Sequence, residues 1–160
     1  MPGNMTDEDK RGPGVRVPPP LLALSAIGAG WVVDLVLPMP IADGSGLRWT
    51  GFAIIALAFL LALASLVQFL AAKTHVEPWR PTRAIIRGGM FRFSRNPIYL
   101  AFCIAAIGAG LALNSWWVIA AVPLLVYLLS VLVIRREETY LEGKFGERYL
   151  AYKRKVRRWF

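Results

Sequence analysis

Apolar residues in this chain fall in long unbroken runs, with none of the short alternation that marks half-buried strands. Four runs are near the twenty or so residues that cross a hydrocarbon core about 30 Å thick, and they predict helices over residues 19–37, 47–72, 97–113 and 116–134. The breaks between them are chemically explicit. Pro38-Met39-Pro40 ends the first run, residues 41–46 carry the turn formers Asp, Gly and Ser, and Asn114-Ser115 is a tight turn that makes a hairpin of the last two runs. Trp49, Trp79, Trp116 and Trp117 stand at or just outside run ends, where amphipathic rings prefer the membrane interface. The first run is of full span length and shows no small-residue cleavage site, which predicts a retained anchor and not a secretory signal. Residues 1–17 are rich in Gly, Pro and charge and predict a disordered tail; residues 18–160 then form one domain.

The pattern changes after the fourth run. Ile134, Glu138, Leu141, Phe145, Tyr149, Tyr152 and Val156 recur at three- and four-residue steps, so a helix over residues 135–156 gathers them on one face, while Arg136, Lys144, Lys153 and Arg157 lie mostly elsewhere. Gly143 and Gly146 are the places for that helix to break or kink. The expected architecture is all-α: a polytopic membrane bundle of about four transmembrane helices with a C-terminal cytoplasmic amphipathic helix.

Composition and charge sharpen this picture. With 56% hydrophobic residues the chain is outside the range of a small soluble domain. Its net charge of +9 is unevenly placed. Lys73, Arg80, Arg83, Arg87, Arg92 and Arg95 load the loop between the second and third runs and many more follow Ile134, whereas the other two loops hold only Arg48. The positive-inside rule then puts both termini and the middle loop in the cytoplasm, a bacterial inner membrane being the expected setting, and the basic excess needs no nucleic acid to explain it. Cys103 and His75 are the single cysteine and histidine, which excludes an intramolecular disulfide and argues against a Cys- or His-built metal site.

Candidate chemistry concentrates in residues 88–100, Gly-Gly-Met-Phe-Arg-Phe-Ser-Arg-Asn-Pro-Ile-Tyr-Leu. Pro97 suits the first helical position, and Asn96 before it is a good N-cap. The free N–H groups of that helix start, with Arg92 and Arg95, favour a carboxylate or phosphate. Glu138, on the apolar side of its helix, is a second candidate, suited to pairing with an arginine or holding a cation. Less specific readings compete at several positions. Gly108-x-Gly110 matches ordinary small-residue helix packing, Glu137-Glu138 a solvated charge pair, and Asp34 and His75 interfacial polar groups.

Arg95-Asn96-Pro97-Ile98-Tyr99, Gly108-Ala109-Gly110, Glu137-Glu138 and Phe145-Gly146-Glu147-Arg148-Tyr149, followed by Tyr152 and Val156, resemble the isoprenylcysteine carboxyl methyltransferase and phospholipid methyltransferase family over roughly residues 74–160. The resemblance implies an integral-membrane enzyme that uses S-adenosylmethionine to methylate a lipid-like acceptor: a prenylcysteine-type carboxylate, a lipid amine or a small thiol. Carried onto this chain, it implies that Arg95, Asn96, Pro97 and Tyr99 line the cofactor pocket, that Gly108 and Gly110 allow close approach of the cofactor, and that Glu137 and Glu138 hold its cationic end, with Arg95 and Glu138 acting in catalysis. Asn96 stands where many members carry His, so no titratable imidazole is supplied there. Two other classes fit less well: a sterol- or isoprenoid-type membrane oxidoreductase, for which the Gly-rich dinucleotide fingerprint is missing, and a non-catalytic protein binding anionic lipid through its basic tail.

Overall fold

The computed structural model describes residues 12–42, 45–75, 77 and 79–160. The described residues are helical and loop segments with no strand. In chain order they form α1 (Pro19–Val36), α2 (Gly46–Ala71), a 3-10 turn (Gly89–Arg92), α3 (Pro97–Ala112), α4 (Trp116–Leu128), a π-helical segment (Leu129–Ile134), α5 (Arg135–Phe145) and α6 (Glu147–Lys155). Residues 1–11 of the expected disordered tail lie outside the described residues. Within residues 12–17, Val15 is buried against the core and the Gly14 carbonyl accepts a hydrogen bond from Arg136 Nη1 at 3.0 Å.

Helix α3 sits at the centre, packed on α2, α4 and α1, with α1 also against α4. The α2–α3 contact is made by small residues. A Cβ on Gly51 would stand 2.4 Å from the Ala112 nitrogen, and one on Gly108 would stand 2.9 Å from the Gly51 carbonyl, so the two backbones meet directly. Outward faces are apolar: Leu57, Phe59, Leu60, Leu63, Val67 and Leu70 on α2 and Leu21, Leu24, Val32, Leu35 and Val36 on α1 are all exposed. Large aliphatic exposure on that scale is what a lipid-facing surface looks like. Three helical stretches are long and apolar enough to cross a membrane: Pro19–Val36, Gly46–Ala71, and the continuous rod Trp116–Phe145. Helix α3 is apolar but only 16 residues long, about 24 Å.

The 30-residue rod is about 45 Å long, well beyond the hydrocarbon thickness, so its charged end projects out of the apolar layer. The π segment within it has no signature in the apolar pattern. Leu125, Leu129 and Ile134 are all fully buried, and the five-residue step from Leu129 to Ile134 keeps to one face only because the local bonding runs i to i+5. The expected single helix over residues 135–156 is in fact two. Gly146 takes φ +52°, a conformation a side chain disfavours, and divides α5 from α6, while Gly143 passes within α5.

One end of the bundle is tied by loops. Trp117 Nε1 donates to the Leu37 carbonyl at 2.7 Å, Asn114 Oδ1 accepts from the amides of Ile41 and Ala42, and Asp34 Oδ1 accepts from the Met39 amide. Asp34 is thereby a local turn ligand. At the other end α1 begins, α2 ends, α3 begins and α5 emerges, and there a cavity opens.

Candidate functional site

The cavity holds about 300 Å³, at the lower end of the range for small-molecule sites, roughly 300–1,000 Å³. One part of its wall is apolar, with Pro19, Phe69, Ile85, Ile86, Ile98 and Phe102; the other carries Arg95, Asn96, Tyr99, Glu137, Glu138, Tyr149 and Tyr152. Four stretches far apart in sequence therefore meet: the start of α1, the loop after α2, the start of α3, and α5 with α6.

Helix α3 starts as the sequence predicts, with Pro97 at its first position and Asn96 at the cap position. The Asn96 side chain does not cap it. Its Nδ2 donates instead to the Arg158 carbonyl at 3.0 Å, because the non-helical segment of residues 156–160 runs across the turn that precedes α3. Ser94 Oγ donates to the same carbonyl and the Arg95 amide donates to the Arg157 carbonyl at 3.1 Å. Tyr99, one turn into α3, points its hydroxyl at Glu137 Oε1, 2.6 Å away.

The charged cluster is built around Glu138, whose side chain is 8% exposed. Arg158 grips it with two parallel bonds, Nε to Oε1 at 3.0 Å and Nη2 to Oε2 at 2.6 Å. Arg95 reaches it with Nη2 alone, 3.1 Å from Oε1. Arg95 is itself 8% exposed, and its Nε and Nη1 are buried without a hydrogen-bond partner among the described residues. Buried donors left open cost roughly 1–3 kcal/mol each, more for charged groups, unless a ligand or water meets them. The two bonds to Glu138 raise the Arg158 pKa, so its charge is fixed. Burial pushes the Tyr149 phenol up to about 12, with the Glu138 carboxylate adding to that and Arg95 opposing it through its charge and a hydrogen bond; burial likewise raises Tyr152. Both phenols are neutral at ordinary pH. Tyr152 uses its hydroxyl to hold the Phe91 carbonyl at 2.7 Å, which pins the 3-10 turn onto α6.

Among the residues singled out from sequence, the structure brings Arg95, Asn96, Pro97, Tyr99, Glu137 and Glu138 to one cavity. Gly108 and Gly110 are not among its lining residues. They lie about 13 Å and 16 Å along the axis from Tyr99, Gly108 closed against Gly51 and Ile55 of α2 and Gly110 against Ile119 of α4, so their missing side chains serve helix packing. Arg92 is separated from Arg95 as well. It ends the 3-10 turn and is exposed in a neighbouring cleft with Arg87 and Lys155. One contributor is not singled out by sequence, and a second is read there only as an interfacial group. Arg158 reaches Glu138 from a non-helical segment, where no periodicity exists to flag it. His75 lines the cavity with Glu77, its Nδ1 3.9 Å from Glu77 Oε2, but loop residues carry no facing signal.

Residues 47–148 match the sequence model of a family described as phospholipid methyltransferase. That match extends the likeness back through α2, which the motifs alone did not reach. The chain is also 39% identical over 62 residues to an uncharacterized protein of Haemophilus influenzae, an alignment that covers 39% of this chain and 98% of that one. With the family model spanning more than half of the chain, three helices able to cross a membrane, and the motif residues gathered at one cavity, this protein belongs to the phospholipid methyltransferase family and is a membrane methyltransferase.

Proposed function

We propose that the protein transfers a methyl group from S-adenosylmethionine to a lipid-like acceptor that reaches the cavity from the bilayer. The observation that carries this reading is the pairing, within one cavity, of an arginine having two open buried donors with a carboxylate held on a tyrosine. An α-amino acid end needs that combination: donors for its carboxylate and an anion for its ammonium. In this reading Arg95, helped by the free N–H groups at the start of α3, takes the carboxylate, and Glu137, oriented by Tyr99, takes the ammonium. The apolar wall of Phe69, Ile85, Ile98 and Phe102 takes the adenine. Glu138, already engaged by two arginines, serves as their counter-charge. The methyl donor is a sulfonium whose methyl carbon is open to attack. The chain's own contribution is to align the acceptor and exclude water, and no covalent protein nucleophile is needed.

The same reading makes α3 a fourth, short transmembrane helix at the bundle centre, with α5, α6 and both termini on the cytoplasmic side beside the basic middle loop. Residues 18–160 act as one domain.

The test is a thermal-shift titration of the purified protein in detergent. A ligand that binds only the folded state raises its stability with the logarithm of concentration over dissociation constant. S-adenosylmethionine and S-adenosylhomocysteine should raise the midpoint and NADPH should not; a shift with NADPH alone would replace this reading with a reductase. Membrane extracts incubated with isotopically labelled methyl donor, with and without the protein, then identify the acceptor by mass spectrometry.

A further inference from the structure

Arg158 lies on the segment that follows α6, and that segment is attached from Val156 to Trp159, with Phe160 exposed beyond it. Val156 leaves the helix in an extended conformation at φ −122° and ψ 131°. The Arg157 and Arg158 carbonyls accept from the Arg95 amide, Ser94 Oγ and Asn96 Nδ2, and Trp159 packs against the buried core. These contacts set Arg158 in register with Glu138. A guanidinium presents its donors as a planar fork, and a carboxylate accepts such a fork along one edge. Arg158 holds that edge, Nε on Oε1 and Nη2 on Oε2. Arg95 is thereby limited to one bond with Glu138, and its Nε and Nη1 stay open beside the cavity.

We infer that Arg158 is a positioning residue, which by occupying both oxygens of Glu138 keeps the Arg95 fork free to receive the carboxylate of a cavity ligand. This rests on the proposed function above and adds to it a residue outside the motifs. Without Arg158, the nearest full-strength partner for Arg95 is Glu138 itself. The two then close into a bidentate pair, which consumes the donors the ligand needs. The segment of residues 156–160 is thus a strap, bonded beside the start of α3, that fixes the charged part of the site.

The experiment compares two probes on the full-length protein in detergent. S-adenosylhomocysteine carries the amino-acid end, and 5′-methylthioadenosine has the same nucleoside thioether without it. Arg158→Ala should weaken S-adenosylhomocysteine binding at least tenfold by calorimetry and change 5′-methylthioadenosine binding less than threefold. Arg158→Lys keeps the charge but cannot form the parallel pair, so it should show the same selective loss at smaller size, and it stands in if the alanine variant does not fold. An equal loss for both probes would make Arg158 a merely structural residue, and no loss for either would show that Arg95 does not depend on it; each overturns the inference. Failure of the unaltered protein to bind S-adenosylhomocysteine would instead overturn the proposed function.

Discussion

Glu137→Gln is the sharpest probe of the charge arrangement, because it changes charge and little else. The amide oxygen of Gln can still accept the Tyr99 hydroxyl, which now sits 2.6 Å from Glu137 Oε1, so the local geometry has a means of surviving. What is lost is one negative charge facing the cavity. At about 4 Å and an effective dielectric constant near 20, that charge attracts an ammonium by roughly 4 kcal/mol before desolvation is subtracted. Breaking desolvated charge pairs in binding sites costs on the order of 2–5 kcal/mol, and the partly buried setting places Glu137 toward the lower half, about 2–3.5 kcal/mol. That is a loss of roughly thirty- to several-hundred-fold in affinity. Calorimetry with S-adenosylhomocysteine measures it, and 5′-methylthioadenosine, which lacks the ammonium, should be nearly unaffected. The neighbouring substitution behaves differently. Glu138→Gln leaves Arg95, 8% exposed, with no carboxylate, and removing one member of a buried pair typically destabilises the fold by about 3–5 kcal/mol. Its signature is therefore a lowered unfolding midpoint without ligand. Glu137→Gln binding S-adenosylhomocysteine within threefold of the unaltered protein would refute the assignment of the ammonium to Glu137.

Other outcomes follow from the same geometry. Gly51→Ala should destabilise the bundle by about 1–3 kcal/mol or more, since its Cβ would sit 2.4 Å from the Ala112 nitrogen, and thermal unfolding in detergent reads this directly. Tyr99→Phe removes the hydrogen bond that holds Glu137 in the ligand-free protein and should cost about 1.5–3 kcal/mol of stability, read as a lowered unfolding midpoint in detergent. Topology reporters placed after Phe160 and near Arg83 should read as cytoplasmic and one placed beside Ala42 as external; an external reading after Phe160 would invert the site relative to the basic loops.

Helix positions were legible in the sequence because each is a local matter. A run of apolar residues with Pro at its head and turn formers at its foot has one favourable state in lipid, where every backbone group must be satisfied within the segment. Pro97 accordingly starts α3 and Ser115 accepts the Val118 amide at the start of α4. The motifs were legible too, and nine of their residues line one cavity. What each residue does there was decided by packing. On an ideal helix Glu137 lies about 100° from Glu138, off the face that Glu138 shares with Leu141 and Phe145, yet it meets Tyr99. The reason is that this end of the rod is covered on two sides, by α3 and by the strap, so two adjacent columns of side chains both face inward. Periodicity assumes one buried face and a constant turn angle, and the π segment breaks the second assumption as the strap breaks the first. The glycines show the same limit, since a missing side chain marks a close approach but not what approaches, and here it is Gly51, Ile55 and Ile119. Arg158 lies furthest from what sequence determines. Its place against Glu138, 20 residues earlier in the chain, follows from the positive-φ break at Gly146 and from carbonyl contacts with Ser94, Arg95 and Asn96, which exist only once the helices have assembled.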